Sequence, residues 1–376
     1  MKKPQLIIDS SLPYLSTLAE EVGEVIRLDS ADFTSERIKN ADALLIRSVV
    51  QCNEALLEGS SVRVIASATA GFDHIDTTYC EEHHIHWHNS PGCNALGVVQ
   101  YVLSALSLWS LQRGETLQGK TIGIIGVGNV GGRLADRVTA LGLQPLLYDP
   151  PRVECEGAEG FITSLDTLLT ESDIITLHVP LTKDGRYPTQ GMVDPAFLKR
   201  CSRRPLLINA CRGGVTPSMA LHEALDEGWI RDVILDCWEG EPTIDGRLAR
   251  KAFIATPHIA GWTADGKWRG SRMALEAICD DLALNKPKGL WDASCLPTPS
   301  TPMIDLSCYP KGERVRRALL HTANPSATTQ ELQATPQDFN RLRKSYLFPR
   351  EASAYYVAGY NEEEAKPLRQ LDFNLS

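Results

Sequence analysis

Short apolar runs recur along most of the chain, separated by segments of helical length and periodicity. LIID (6–9), EVIRL (24–28), ALLIRS (43–48), VRVIASAT (62–69) and IHWHNS (85–90) predict parallel strands with crossover helices over residues 1 to about 92. From Lys120 the rhythm sharpens. TIGIIGVG (121–128) is a strand entering a glycine turn, NVGGRLADRVTALG (129–142) a helix closed by a glycine, and PLLYD (145–149) the next strand. DIITLHVP (173–180), PLLINA (205–210), VILDCW (233–238) and FIATPHI (253–259) follow, and 263–286 predicts a long helix. These runs are continuously apolar rather than alternating, the pattern of strands covered on both faces of a parallel sheet. ALGVVQYVLSALSLWSL (95–111) is only 17 residues long and carries Gln100 and three serines. It falls short of a membrane span and reads as a buried or subunit-interface helix. LWDASCLPTPSTP (290–302) reads as a linker, and the polar tail beyond it, with the basic cluster RLRKSY (341–346), as a separate small domain.

At 376 residues the chain exceeds one ordinary domain, and 43% hydrophobic with 23% charged residues describes a globular protein. A formal net charge of −9 argues against general nucleic-acid binding, which needs basic patches. Ten cysteines without a CxxC pair read as reduced, mostly buried thiols, and MKKPQLIIDSS lacks the apolar core of a secretory signal. A cytoplasmic protein with no membrane partner is expected.

GVGNVG (126–131) has G-x-G-x-x-G spacing, a weak signal alone. Here it follows a predicted strand, opens a helix, and is followed by a strand ending in Asp149, the context of a dinucleotide fingerprint. Gly126 permits the turn, Gly128 lets pyrophosphate approach the backbone, and Gly131 lets helix and sheet pack closely. Asn129 and Val130 complete the loop that meets the phosphates. Asp149 accepts hydrogen bonds from ribose hydroxyls and repels an added phosphate, favouring NAD over NADP despite the nearby Arg152.

NACRGG (209–214), DCWEGEP (236–242) and TPHIAGW (256–262) each lie at or just after a predicted strand of the same sheet, where ligands of such sheets bind. Oxidation of a hydroxy acid needs a base for the hydroxyl proton, a group that orients the base, and a cation for the carboxylate. His258, Glu241 and Arg212 suit these tasks in that order. Singly, each has a dull reading as core histidine, capping carboxylate or surface cation. Together, downstream of a nucleotide fingerprint, they point to catalysis.

The pattern resembles the D-isomer-specific 2-hydroxyacid dehydrogenases over about residues 40–285. The resemblance implies an α/β protein in which a Rossmann-type, doubly wound NAD domain (95–257) is inserted in a split, flavodoxin-like substrate domain (1–94 and 258–289). It also places Asp236, Val179, Ala210, Cys211, the Arg212 backbone and Gly261 on NAD. IRSV (46–49), ATAGFDHID (68–76), SPGCNA (90–95) and LRKSYL (342–347) match one branch of that family. That branch adds a small C-terminal α+β dimerisation domain, here 290–376, and acts on a small phosphorylated hydroxy acid in pyridoxal 5′-phosphate synthesis. It implies a homodimer and puts Ser48, Thr69 and Trp262 on substrate. Trp262 departs from the usual tyrosine, and Gln100 from a glutamate.

The substrate phosphate needs cations of its own, and Arg47, Arg341, Arg343 and Lys344 are the candidates. Another dehydrogenase of the family, of phosphoglycerate or glyoxylate type, shares the triad and differs in the tail. A formate dehydrogenase has glutamine at the position of Glu241, and an NAD-sensing corepressor on this fold can keep the triad without turnover. EEHHIHWHN (81–89) tempts a metal assignment, yet no cysteine completes a zinc pattern and no metal is expected.

Overall fold

The computed structural model describes residues 3–162 and 164–376, which divide into two compact units: Met1–Asn94 with Thr263–Pro297, and Ala95–Trp262 with Thr298–Ser376.

In the first unit, β1 (Gln5–Asp9), β2 (Glu24–Leu28), β3 (Ala43–Ile46), β4 (Val64–Ser67) and β5 (His86–His88) form a parallel sheet in the order β2-β1-β3-β4-β5. This is the flavodoxin-like order, with its topological switch between β1 and β3. Every residue of β3 and β4 is buried, as continuous apolar runs require. The helix Ala264–Asp281 returns from the far end of the sequence and packs Ala274, Leu275 and Ile278 with β1 and β3 residues Leu6, Ile8 and Leu45. It begins at Thr263, whose side chain accepts from the Gly266 amide, and ends five residues before the predicted limit of 286.

The second unit holds β6 (Thr121–Ile125), β7 (Gln144–Tyr148), β8 (Ile174–Leu177), β9 (Leu206–Asn209), β10 (Asp232–Leu235) and β11 (Ile254–Ala255). All neighbours are parallel, in the order β11-β10-β9-β8-β6-β7. This is a doubly wound, Rossmann-type sheet whose switch falls between β6 and β8. The last strand is shorter than FIATPHI suggested: it spans only Ile254–Ala255, with Pro257, which has no N–H for a ladder, two residues on. The helix Asn129–Val138 closes through a tight turn onto Gly142, which takes a left-handed φ of 77°.

The helix Ala95–Arg113, 19 residues long, has the length and apolarity of a membrane span, but most of it is buried inside this unit. Its Val102, Leu106 and Trp109 share one core with Ile122 and Ile124 of β6 and with Leu319, Val357 and Leu368 of the tail. The tail has its own parallel sheet of β12 (Met303–Asp305), β13 (Tyr356–Ala358) and β14 (Asn374–Leu375). It does not keep a separate core: Leu319, Val357 and Leu368 join one core of the second unit, and Leu332, Phe339 and Leu342 join its other.

Candidate active site

At the switch point, β6 runs into Gly126, whose φ is 86°. A Cβ there would stand 2.6 Å from the His178 carbonyl oxygen and 2.8 Å from Val179 Cγ1, so only glycine fits. At Gly131 a Cβ would lie 2.0 Å from the Gly126 carbonyl oxygen, which shows how tightly the helix Asn129–Val138 is pressed onto the turn. Gly128 is the opposite case. It and Asn129 are exposed, no heavy atom lies within 4 Å of where its Cβ would be, and the helix start has no side-chain cap. An open glycine beside uncapped helix amides fits a pyrophosphate.

Asp149 Oδ2 accepts from the Val127 amide at 2.7 Å and Oδ1 from the Arg152 amide at 3.1 Å, and each oxygen keeps a lone pair for a ribose hydroxyl. Arg152 does not offer its charge there. It pairs with Glu156 and donates to the Val127 carbonyl at 2.6 Å. Behind the turn, burial holds the His178 ring down to about 3, so it stays neutral, with Nε2 2.9 Å from Thr176 Oγ1.

Along the same sheet edge, Asn209 shapes the loop after β9. Its side chain accepts from the Cys211 amide at 3.0 Å and donates to the Arg212 carbonyl at 2.9 Å and to Thr216 Oγ1 at 2.8 Å. Arg212, half-buried, directs one guanidinium nitrogen to the Cys211 carbonyl at 2.8 Å. A Cβ on Gly213 would lie 1.9 Å from the Trp238 carbonyl carbon, so the loops after β9 and β10 touch backbone to backbone. There the Trp238 amide donates to Glu241 Oε1 at 2.7 Å, and Glu241 Oε2 accepts from His258 Nδ1 at 2.8 Å. A ring donating Nδ1–H to a carboxylate presents Nε2 as its acceptor, the state a general base requires.

His258 has a φ of 56°, uncommon for a residue other than glycine and of the kind that gathers at functional sites. Its conformation is held by Asp236. The His258 amide donates to the Asp236 carbonyl at 2.8 Å, and the Asp236 carboxylate accepts from the amides of Ile259 at 2.8 Å and Ala260 at 2.9 Å. Thr256 Oγ1 adds a third bond at 2.7 Å, leaving the carboxylate about one further acceptor position. Asp236, expected near the nicotinamide, is therefore first of all the staple of the histidine loop. Burial raises its carboxyl above the ordinary range, against the pull of His258 and of these hydrogen bonds.

Sequence reasoning missed the support behind this loop. Thr256 receives a hydrogen bond at 2.7 Å from Tyr101, whose phenol burial pushes far up. Thr256 stands two residues before His258 and was visible in TPHIAGW; Tyr101 is 155 residues away and had no local signal. The burial of Tyr346, pushed to about 12 with Asp236 among its causes, brings the tail to the same region.

Of the predicted substrate residues, Arg47, Ser48 and Thr69 follow β3 and β4 in the first unit. Arg47 donates to Ser11 Oγ at 2.7 Å across the β1/β3 switch, Ser48 is exposed, and Thr69 Oγ1 bonds Ser67 Oγ at 2.8 Å. In the second unit, Gly261 and Trp262 are half-buried just after His258. The Arg343 guanidinium lies over the Trp262 ring at 5.2 Å, and Phe348 meets it edge-on at 6.5 Å. Arg341 pairs with Asp338 at 2.7 Å, and Lys344 is exposed. Gln100, which replaces a glutamate, is buried and donates to the Arg350 carbonyl at 3.1 Å, a bond its neutral amide can make and a carboxylate cannot.

Cys237 Sγ lies with the Glu241 and His258 ligand atoms within a 4.8 Å cluster. Burial and the Asp236 charge raise its thiol far up, so it is a protonated donor to the Cys211 carbonyl rather than a thiolate ligand. The histidine-rich stretch resolves dully: His83 bonds the Tyr79 carbonyl, while His86 and His88 both reach Asp281 Oδ2, at 3.2 and 2.7 Å.

Residues 106–260 match the family profile described as "D-isomer specific 2-hydroxyacid dehydrogenase, NAD binding domain". The chain is 46% identical over 370 residues to an erythronate-4-phosphate dehydrogenase of Porphyromonas gingivalis, covering 98% of this chain and 99% of that protein. It is 39% identical over 374 residues to the enzyme of the same name from Klebsiella pneumoniae, covering 98% of each. Among solved structures, NAD-bound 3-phosphoglycerate dehydrogenase of Entamoeba histolytica aligns with a TM-score of 0.64 at 24% identity, over 75% of this chain and 96% of that one.

Proposed function

The chain belongs to the D-isomer-specific 2-hydroxyacid dehydrogenase family, and on that premise we propose that it oxidises 4-phospho-D-erythronate to (R)-3-hydroxy-2-oxo-4-phosphooxybutanoate in pyridoxal 5′-phosphate synthesis. The observation that carries this reading is the ordered Glu241–His258 pair on the same sheet edge as Arg212 and an open dinucleotide turn. NAD, when bound, supplies the hydride acceptor for C2 of the acid. His258 Nε2 takes the C2 hydroxyl proton as that hydride leaves. Glu241 holds the ring and stabilises the imidazolium that forms. Arg212 clamps the substrate carboxylate and polarises the neighbouring oxygen.

The loop Gly126–Gly131 and Asp149 hold the pyrophosphate and ribose, and Val179, Ala210, Cys211 and Gly261 line the remainder of the cofactor. Ser48, Thr69 and Trp262 contact the substrate. The protein works in the cytoplasm as a homodimer joined through the tail. Met303 and Tyr356, paired across β12 and β13 and 54% and 50% exposed, are the large side chains of the tail sheet that a second copy would cover.

A side-by-side NAD-dependent assay of 4-phospho-D-erythronate, 3-phosphoglycerate and unphosphorylated erythronate tests the substrate. A higher kcat/KM for 3-phosphoglycerate would replace this reading by the phosphoglycerate one.

A further inference from the structure

The helix Phe339–Ser345 carries three cations, and the structure treats them differently. Arg341 is ion-paired with Asp338 and its side chain is 64% exposed; Lys344 is exposed as well. Both are solvated surface charges. Arg343 is half-buried, and the central carbon of its guanidinium lies over the Trp262 indole, 5.2 Å from the ring centroid. Its Nε is buried and meets no acceptor among the described residues. A guanidinium N–H removed from water without an acceptor is unfavourable, and an indole face offers attraction but no lone pair for that proton.

Trp262 belongs to the loop of the base. It follows His258 by four residues, which limits their Cα separation to about 14 Å, and the intervening Ile259 and Ala260 are pinned by Asp236. The indole is gripped from the tail by Arg343 on its face and Phe348 at its edge. Tryptophan is also the strongest cation–π partner, which gives the departure from tyrosine a physical sense.

We infer that Arg343 is the anchor for the substrate phosphate, that Trp262 is the plate that orients its guanidinium fork, and that Arg341 and Lys344 take no part. The fork matches phosphate in bidentate fashion, and a phosphate oxygen supplies the acceptor that Nε lacks. The acid then spans two arginines, with its carboxylate on Arg212, its phosphate on Arg343 and its reacting carbon at His258. This rests on the reading that the substrate is a phosphorylated 2-hydroxy acid.

The test uses the full-length protein, with Arg343→Ala, Arg343→Lys and Arg341→Ala checked for unchanged Tm and oligomeric mass. Loss of a charge-assisted contact to phosphate lowers the ratio of kcat/KM for 4-phospho-D-erythronate over erythronate by about 10- to 100-fold in Arg343→Ala. Arg343→Lys, which keeps the charge but loses the fork, falls between, and Arg341→Ala keeps the wild-type ratio. Inorganic phosphate, used as a probe by calorimetry, binds the wild type more tightly than either Arg343 variant. A wild type inactive on the phosphorylated acid would overturn the functional reading, with phosphate binding still judging Arg343. An active wild type whose folded Arg343 variants keep both the ratio and the phosphate affinity would overturn the assignment of Arg343 alone.

Discussion

The cofactor turn and the histidine loop lie on one edge of the same sheet, yet they are built in opposite ways. The turn after β6 is shaped by what its residues lack: side chains at Gly126 and Gly131 would collide with backbone, while Gly128 leaves open space. The loops after β9, β10 and β11 are shaped by what their residues reach. Asn209, Asp236, Glu241 and Thr256 each turn a side chain back onto a loop amide, carboxylate or ring. Gly126 and Gly131 have no room for an added atom, and neither has Gly213 where the loops after β9 and β10 meet, whereas the hydrogen-bonded positions cannot lose an acceptor.

The comparison breaks most visibly at the base. His258→Ala is expected to lower kcat/KM by about 10²–10⁴-fold, while NAD affinity in a fluorescence titration stays near wild type. Parallel losses of both would mean that the two ends of the sheet edge are not separable.

Gly131→Ala and Gly128→Ala sharpen the other side. A methyl at Gly131, 2.0 Å from a carbonyl oxygen, forces the helix off the turn and costs about 1–3 kcal/mol of stability, seen as a lower Tm, together with weaker NAD binding. A methyl at Gly128 meets open space, so Tm holds and only NAD affinity falls. Equal Tm losses would contradict the distinction between packing and ligand approach.

Asp149→Ala has a smaller effect, narrowing the preference for NAD over NADP. Its size is read from the ratio of kcat/KM for the two cofactors. An unmutated protein that uses both equally would refute the ribose assignment.

A last effect, on stability and not on catalysis, is one of pH. Burial holds His178 down to about 3 against 6.5 for the free ring. The unfolded chain therefore binds a proton that the folded chain refuses. The stability held by the neutral ring is complete above pH 6.5 and lost as pH falls from there toward 3, at roughly 1 kcal/mol per pH unit. His178→Gln, followed by urea unfolding at several pH values, should flatten that part of the profile. An unchanged slope would mean that the ring is protonated in the fold.

Much of this was legible because it is local. Continuous apolar runs announced doubly covered strands, and the helix starting at Asn129 was framed by glycines on both sides. His258, Glu241 and Arg212 stood in short stretches directly after strands, so chain direction alone brought them to one edge. FIATPHI misled for the same reason. Apolarity cannot show where a chain leaves a sheet: the Thr256 amide still donates to the Leu235 carbonyl at 3.0 Å, and Pro257, without an N–H, follows it.

The sequence by itself determined the strand runs, the glycine turn, the placing of Arg212, Glu241 and His258 along one sheet edge, and the position of Asp149 directly after β7. These follow from contacts within a few residues or from strand direction, both of which a linear pattern encodes. Only the tertiary structure decided that Tyr101 supports Thr256 from 155 residues away and that the tail completes the core of the second unit. It also decided that, of three neighbouring cations, Arg343 and not Arg341 or Lys344 lies on Trp262. Those choices depend on which surfaces are left to bury once the sheets have formed, and that depends on the packed shape of the whole chain.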